Sequence, residues 1–222
     1  MDERIERAQQ HYHDAVFKGD PASLTEADRE LDGVEADLAL ARGRIIHSRF
    51  LQERDQDPNQ VAEDPAELPL FERAASIYHE LGNIHGEAES QFWIGCFYQL
   101  VRSDNPAAVP HLNRSYELAT RVGDKYTMSE ALRHLGIEAH ANGELDLARE
   151  RLEQSTKLRR EINLTPGVAA NLIGLAYIAS AQSRQDDAVA ILDEAAALAK
   201  ASDAARILHM VDQARVNLSA QP

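Results

Sequence analysis

Residues Ser129–Leu158 read SEALRHLGIEAHANGELDLARERLEQSTKL and predict two helices that meet at a turn. Small or apolar residues recur every three or four positions on both sides of Asn142-Gly143, as on the buried face of a helix. Asn-Gly is a dipeptide typical of turns. The inward positions are Leu132, Leu135, Gly136 and Ala139 before the turn, and Leu145, Ala148, Leu152 and Ser155 after it. This stretch therefore predicts a helical hairpin.

The second half of that hairpin recurs at an interval of 40 residues. Ala148, Leu152, Ser155 and Leu158 correspond to Ala188, Leu192, Ala195 and Leu198 further on, and to Ala108, Leu112, Ser115 and Leu118 before. A helical hairpin repeated at a fixed period predicts a solenoid, in which each repeat buries its apolar face against its neighbours. Solenoids mostly bind other molecules.

Composition favours an all-helical protein that binds neither nucleic acid nor membrane. The chain of 222 residues has only eight prolines and eleven glycines and carries a net charge of −14. Because an acidic chain repels phosphate backbones, nucleic-acid binding is not expected. Residues 1–83 hold 19 acidic against 9 basic side chains, a net of −10, which leaves −4 for residues 84–222. The acidic half either keeps the protein soluble or meets a basic partner.

The sequence also predicts a cytoplasmic location. The single cysteine, Cys96, fits a reducing compartment. The first ten residues, MDERIERAQQ, contain no apolar signal segment. No apolar run approaches the length of about 18 residues that a membrane-spanning helix needs.

Periodicity and turn residues predict a chain of helices. The expected helices lie near 3–18, 22–31, 35–53, 65–81, 86–102, 106–122, 127–142, 145–161, 167–183 and 185–200, with a capping helix at 203–218. Gly82-Asn83 and Gly123-Asp124 mark helix ends. Residues 54–64, RDQDPNQVAED, offer little to bury and predict an acidic insertion inside one hairpin or, alternatively, a linker between two domains.

These residues resemble the tetratricopeptide repeat (TPR) family, whose pattern is Trp-x2-Leu-Gly-x2-Tyr followed by Ala-x3-Phe. The central hairpin has Leu132-x2-Leu135-Gly136-x2-Ala139 and then Ala148-x3-Leu152. Its neighbours have Ile94-Gly95-x2-Tyr98 with Ala108-x3-Leu112, and Ile173-Gly174-x2-Tyr177 with Ala188-x3-Leu192. The pitch of 40 exceeds the family's usual length of about 34, and the chain is similar in this to repeat arrays of bacterial regulators.

The resemblance implies an all-α fold, a right-handed α-α superhelix of about five hairpins plus the capping helix at 203–218. It implies one solenoid domain over residues 1–222, with degenerate repeats in 1–83 and regular repeats in 84–200.

The resemblance further implies that the first helix of each hairpin lines a concave groove. Counted from the repeat glycines, the inward residues that we select as partner-binding are Arg44, His47, Phe92, Cys96, Gln99, Arg133, Ile137, His140, Asn171, Leu175 and Ile178. Glu89 and Glu130 would lie at the rim. We expect Arg133 and Asn171 to hold oxygen atoms of a bound peptide. Phe92, Ile137 and Leu175 would contact its apolar side chains or, alternatively, pack between hairpins.

Sequence motifs for other chemistry are lacking. The nine histidines show no ligand spacing, so we expect no metal site, no cofactor and no catalytic residues. The basic residues Arg149, Arg151, Lys157, Arg159 and Arg160 alternate with glutamates, and the last three lie near a helix C-terminus. Compensation of the helix dipole and exposed ion pairs account for them.

The sequence therefore predicts a non-enzymatic adaptor or regulatory scaffold that binds a protein or peptide in its groove. Two alternatives stay open: a module for self-association, and a sensor of a signalling peptide or small molecule.

Overall fold

A computed structural model of the protein describes residues 2–57 and 61–219, and these residues form ten α-helices and no strand. The helices are α1 (Glu3–Lys18), α2 (Ala22–Gln56), α3 (Glu67–Glu80), α4 (Ile84–Cys96), α5 (Asn105–Val122), α6 (Lys125–Ala141), α7 (Leu145–Glu161), α8 (Thr165–Ala181), α9 (Gln185–Ala201) and α10 (Ala205–Ser219). A π-helical turn, Phe97–Val101, extends α4. The all-α fold built from helical hairpins is confirmed. Within the described ranges, no helix has the length and apolar content needed to cross a membrane.

The chain divides into two compact units, Met1–Leu118 and Ala119–Pro222, with the boundary inside α5. In the first unit α1 packs against α2, α2 against α3, and α3 against α4. Its core is formed by alanine, branched aliphatic and aromatic side chains of α2, α3 and α4: Ala36, Ala39, Leu40, Phe71, Ala74, Ala75, Ile77, Tyr78 and Ile94. Alanines on α2 and α3 let these helices approach closely.

The second unit contains α6 to α10, each packed against its successor. Helix α8 also contacts α6 and α10, as expected for hairpins stacked in file. Its largest buried cluster joins α8, α9 and α10 through Val168, Leu172, Ile173, Ala176, Ala179, Ala188, Leu192, Ala195, Ala196, Val211, Ala214 and Leu218. Helix α10 thus buries one face against the last hairpin, as a capping helix does. The single domain expected over residues 1–222 stays a prediction.

The prediction of two helices at 22–31 and 35–53 is wrong, because α2 is one helix of 35 residues. Gly33, between them, costs a helix only about 1 kcal/mol relative to Ala and does not break it. The first half of α2 contacts α1, as in the ion pair of Glu30 with Arg7, and the second half packs against α3, where Gly43 meets the ring of Phe71. Both halves are therefore stabilised. Helix α2 also continues through Arg54 to Gln56, inside the predicted acidic insertion, whose residues 58–60 lie outside the described residues.

The predicted turns are confirmed at the two Gly-Asn and Gly-Asp steps. Gly82 and Gly123 have φ of 68° and 70°, in the left-handed region that suits glycine. The side chain of Asn83 then accepts a hydrogen bond from the backbone N–H of Gly86, and that of Asp124 from Tyr126 and Thr127. One dipeptide therefore ends a helix and caps the next.

The close helix approach expected at the repeat glycines is present. A Cβ atom on Gly136 would lie 3.1 Å from Cγ of Leu152 and 3.3 Å from the carbonyl oxygen of Ala148. At Gly95 it would lie 2.7 Å from Leu112, the equivalent contact. Gly174 differs, because its neighbour is Leu152 of the preceding hairpin rather than Leu192 of its own. Two extra residues between Gly174 and Ala188 change the register of this hairpin.

Candidate functional site

Six of the residues predicted to line a groove are buried. Their exposed fractions are below 9%, and they are His47, Phe92, Cys96, Gln99, Asn171 and Ile178. A buried side chain cannot contact a partner directly. The prediction that these six side chains are exposed in a groove is therefore wrong. The reason is that first-helix residues also pack against the neighbouring hairpin. Five predicted residues are at least partly exposed: Arg44, Arg133, Ile137, His140 and Leu175.

In the first unit, the exposed Arg44 is already paired. Its guanidinium forms an ion pair with Glu89 at 2.9 Å and lies over the ring of Trp93, 5.5 Å from the centroid. Nearby, Nδ1 of His47 lies 2.7 Å from Oε1 of Glu67, and both side chains are buried. The charge of Arg44 is therefore neutralised within the unit, which weakens it as a site for an anionic guest.

In the second unit, Arg133 on α6 extends to the start of α8. Its Nη1 donates to the carbonyl oxygen of Ala170 at 3.0 Å and to Oδ1 of Asn171 at 3.1 Å. The two residues expected to act together are thus in direct contact. Ile137 lies one turn further along α6, and Leu175 lies one turn beyond Asn171 on α8.

Asn171 uses all of its amide hydrogen-bonding capacity inside the protein. Its Oδ1 accepts from Arg133 and Arg159, while its Nδ2 donates to Oγ of Ser155 at 2.8 Å and to Oγ1 of Thr156 at 3.2 Å. An amide offers two donor hydrogens and two acceptor positions. Asn171 therefore fixes the position of Arg133 and has nothing left for a guest.

Arg159 on α7 completes this cluster and is 2% exposed. Its Nη1 donates to Oδ1 of Asn171 at 2.9 Å and to the carbonyl oxygen of Gly167 at 2.8 Å. Its Nη2 pairs with the carboxylate of Glu130 on α6. One buried guanidinium thereby joins three helices, α6, α7 and α8.

This Arg133–Arg159–Glu130–Asn171 cluster carries one more positive charge than negative charge. Burial and the positive charge of Arg159 together lower the pKa of Arg133 to about 10, against the opposing effect of Glu130. Among the described residues, no carboxylate forms an ion pair with Arg133. A partly exposed, incompletely solvated guanidinium of this kind is suited to accept a carboxylate or another anion.

Sequence analysis assigned Arg159 to an exposed basic cluster, and that assignment is wrong. The repeat itself contained a signal, because the positions 40 residues before and after Arg159 are Ala119 and Ala199, both fully or almost fully buried. An arginine at a repeat position where the neighbouring repeats have a buried alanine indicates a buried polar network. For Arg160 the assignment holds, since it is exposed and pairs with Glu194 at 2.9 Å.

Within the described ranges, no three His, Cys, Asp or Glu side chains are grouped closely enough to hold a metal ion.

No protein-family model matches the chain. No curated protein matches it either. Among solved structures, the fold is similar to that of BtubC (BKLC) from P. vanneervenii, with 16% sequence identity, a TM-score of 0.49 and coverage of 90% of both chains.

Proposed function

We propose that this protein is a non-enzymatic, cytoplasmic adaptor of the TPR type that binds an acidic peptide segment of a partner protein at Arg133. One observation carries the proposal: a guanidinium is held in place by two acceptors on α8 and has no ion-pair partner among the described residues. Orienting a charged group in advance reduces the entropy lost when a ligand binds.

The chemistry around Arg133 defines the guest. A carboxylate of the peptide accepts hydrogen bonds from the guanidinium nitrogens that face away from Asn171. Ile137 and Leu175, both partly exposed, contact an apolar side chain nearby, and His140 follows Ile137 on the same face of α6. Asn171 and Arg159 have positioning roles. The recognised segment therefore combines an acidic group with an apolar residue.

A peptide-display selection against the whole protein tests this. We expect wild-type protein to enrich peptides with Asp, Glu or a free C-terminus next to an apolar residue. Arg133→Gln should lose binding by about tenfold or more, since it removes one charge-assisted contact. Arg149→Gln is the matched control, because Arg149 is 43% exposed and lies 3.9 Å from Glu153 on the outer face of α7.

Circular dichroism should show equal helix content in the wild-type protein and both variants. Selected peptides that bind Arg133→Gln as tightly as the wild-type protein would refute the assignment of the site.

A further inference from the structure

Exposed apolar side chains are concentrated on the first two helices. Of eleven large exposed apolar residues in the described ranges, seven lie on α1 and α2. Four of them are spaced seven residues apart on α2: Leu24, Leu31, Leu38 and Ile45, which are 48%, 45%, 49% and 53% exposed. We call these four residues the α2 stripe. A seven-residue apolar period matches one of the two apolar positions in the heptad of a helix that pairs with another helix.

The α2 stripe continues beside α1. A groove between these helices is lined by Ile5 and Tyr12 of α1 together with Leu24 and Leu31 of α2. Tyr12 and Val16 of α1 are 55% and 53% exposed. Further along α2, Ile45 lies in a second groove with Ala41, Ser48 and Arg49. The open surface therefore runs along most of α2.

Charges beside the α2 stripe are separated by sign. The heptad positions that flank it are acidic in the first half of α2, with Asp28, Glu30, Glu35 and Asp37, and basic in the second half, with Arg42, Arg44 and Arg49. Three of these, Asp28, Arg42 and Arg49, are exposed and form no ion pair or side-chain hydrogen bond with the other described residues. Asp28 lies four residues after Leu24 and Arg42 lies three residues before Ile45, so these two opposite charges come together when one copy is reversed.

We propose that the α2 stripe binds the α2 stripe of a second copy of this chain, with the two helices antiparallel. Reversal places Asp28 of each copy beside Arg42 of the other, whereas a parallel pair would place each of these charges beside its own counterpart. Each copy presents the same patch, which is the geometry of a closed two-fold dimer. In the antiparallel pair the second half of each α2 enters the groove between α1 and α2 of its partner.

Light scattering after size exclusion, over a range of concentrations, tests the association. The wild-type protein should have twice the chain mass at tens of micromolar. Leu31→Glu with Leu38→Glu should raise the dimer dissociation constant by about 100-fold or more, because two buried apolar contacts become charged. The matched control is Val189→Glu with Val216→Glu, which replaces two apolar residues on α9 and α10 that are 54% and 70% exposed. A monomeric wild-type protein, or equal effects of both double variants, would overturn the proposal.

Charge reversal identifies the partner as a second copy. Arg42→Glu should be monomeric alone, as should Asp28→Arg, since each places like charges at positions 28 and 42 of the two copies. Mixing the two variants should restore a heterodimer. A mixture that stays monomeric contradicts charge-directed pairing.

Disulfide trapping determines the orientation. Leu24→Cys should crosslink with Ser48→Cys in a mixture, but not with itself, because 21 residues separate Leu24 from Ile45, which is about 31 Å along a helix. The native Cys96 is buried and does not compete. Efficient self-crosslinking of Leu24→Cys would show a parallel pair and refute the proposal.

Discussion

Arg159 donates a hydrogen bond of 2.9 Å to Oδ1 of Asn171, and this contact joins helix α7 to helix α8 deep inside the second unit. The same oxygen accepts from Arg133, so one buried amide orients two guanidiniums. Among the residues that the structure describes, one carboxylate, that of Glu130, pairs with this cluster. The arrangement joins α6, α7 and α8 and leaves the side chain of Arg133 partly exposed.

Removing Arg159 should destabilise the protein strongly. In Arg159→Ala the carboxylate of Glu130, the amide of Asn171 and the carbonyl of Gly167 all lose a buried partner. We expect the free energy of unfolding to fall by about 3 kcal/mol or more. Arg160→Ala is the control, because its side chain is 57% exposed, and it should cost less than about 1 kcal/mol. Urea denaturation measures both, and equal losses would contradict a buried network.

Replacement by alanine should change the free energy of unfolding in opposite directions at Gly95 and Gly33. A Cβ on Gly95 would lie 2.7 Å from Leu112, so Gly95→Ala should lower the free energy of unfolding by about 1–3 kcal/mol. A Cβ on Gly33 would lie 3.6 Å from Arg4, an ordinary contact, so Gly33→Ala in α2 should raise it by about 0.5–1 kcal/mol. Urea denaturation compares them. A shift of the same sign for both would show that helix approach at Gly95 is looser than the structure indicates.

His111 should make stability depend on pH. Burial lowers its pKa below the ordinary value of 6.5, against the opposing effect of Glu72. Its Nδ1 lies 2.8 Å from Oε1 of Gln91, and its ring stacks on Tyr98. Below pH 6.5 the unfolded chain binds more protons at this residue than the folded protein does. Its contribution to stability therefore decreases as the pH falls from 6.5 toward the lower pKa of the folded state.

The variant His111→Asn cannot titrate but can still donate to Gln91. We expect the free energy of unfolding to fall less between pH 7.5 and pH 5.5 in His111→Asn than in the wild-type protein. The difference in free energy of unfolding between the two proteins at pH 8 serves as the baseline, because the histidine is neutral there in both the folded and the unfolded chain. Parallel pH profiles would contradict the proposed effect of burial.

Replacing Ser183, a serine in the turn after α8, by glycine should increase the stability of the protein. Ser183 has a φ of 60°, a left-handed conformation that costs a residue with a Cβ atom and suits glycine. Ser183→Gly should raise the melting temperature, through a gain of up to about 1 kcal/mol. Ser202→Gly should lower it, because Ser202 has a φ of −106° and donates through Oγ to the carbonyl oxygen of Leu198. Calorimetry of the two variants separates these outcomes.

Nine of the predicted helices agree with the structure to within two residues at each end, counting the π-helical turn with α4. Their periodicity and turn residues act over a few neighbouring positions, so the sequence contains the information directly. Helix α2 could not be predicted in this way. Gly33 favours a break locally, but α1 and α3 stabilise the helix on either side of it.

The candidate site was predictable only in part. Arg133 and Asn171 occupy the same repeat position in adjacent hairpins, and the structure brings them within 3.1 Å. Their roles differ, because Asn171 is fully buried and Arg133 is partly exposed. Residue spacing within one helix cannot distinguish these cases, since burial depends on the helices packed against it.

By itself, the sequence determined the all-helical fold, the turns at Gly82 and Gly123, and the close approach of Gly136 to Ala148, because each depends on local spacing and backbone conformation. Only the tertiary structure decided that Arg159 is buried against Asn171 and Glu130, since those groups come from three helices and their interaction depends on the exclusion of water. It likewise decided that the α2 stripe is exposed, because whether an apolar residue is covered depends on which helices pack beside it.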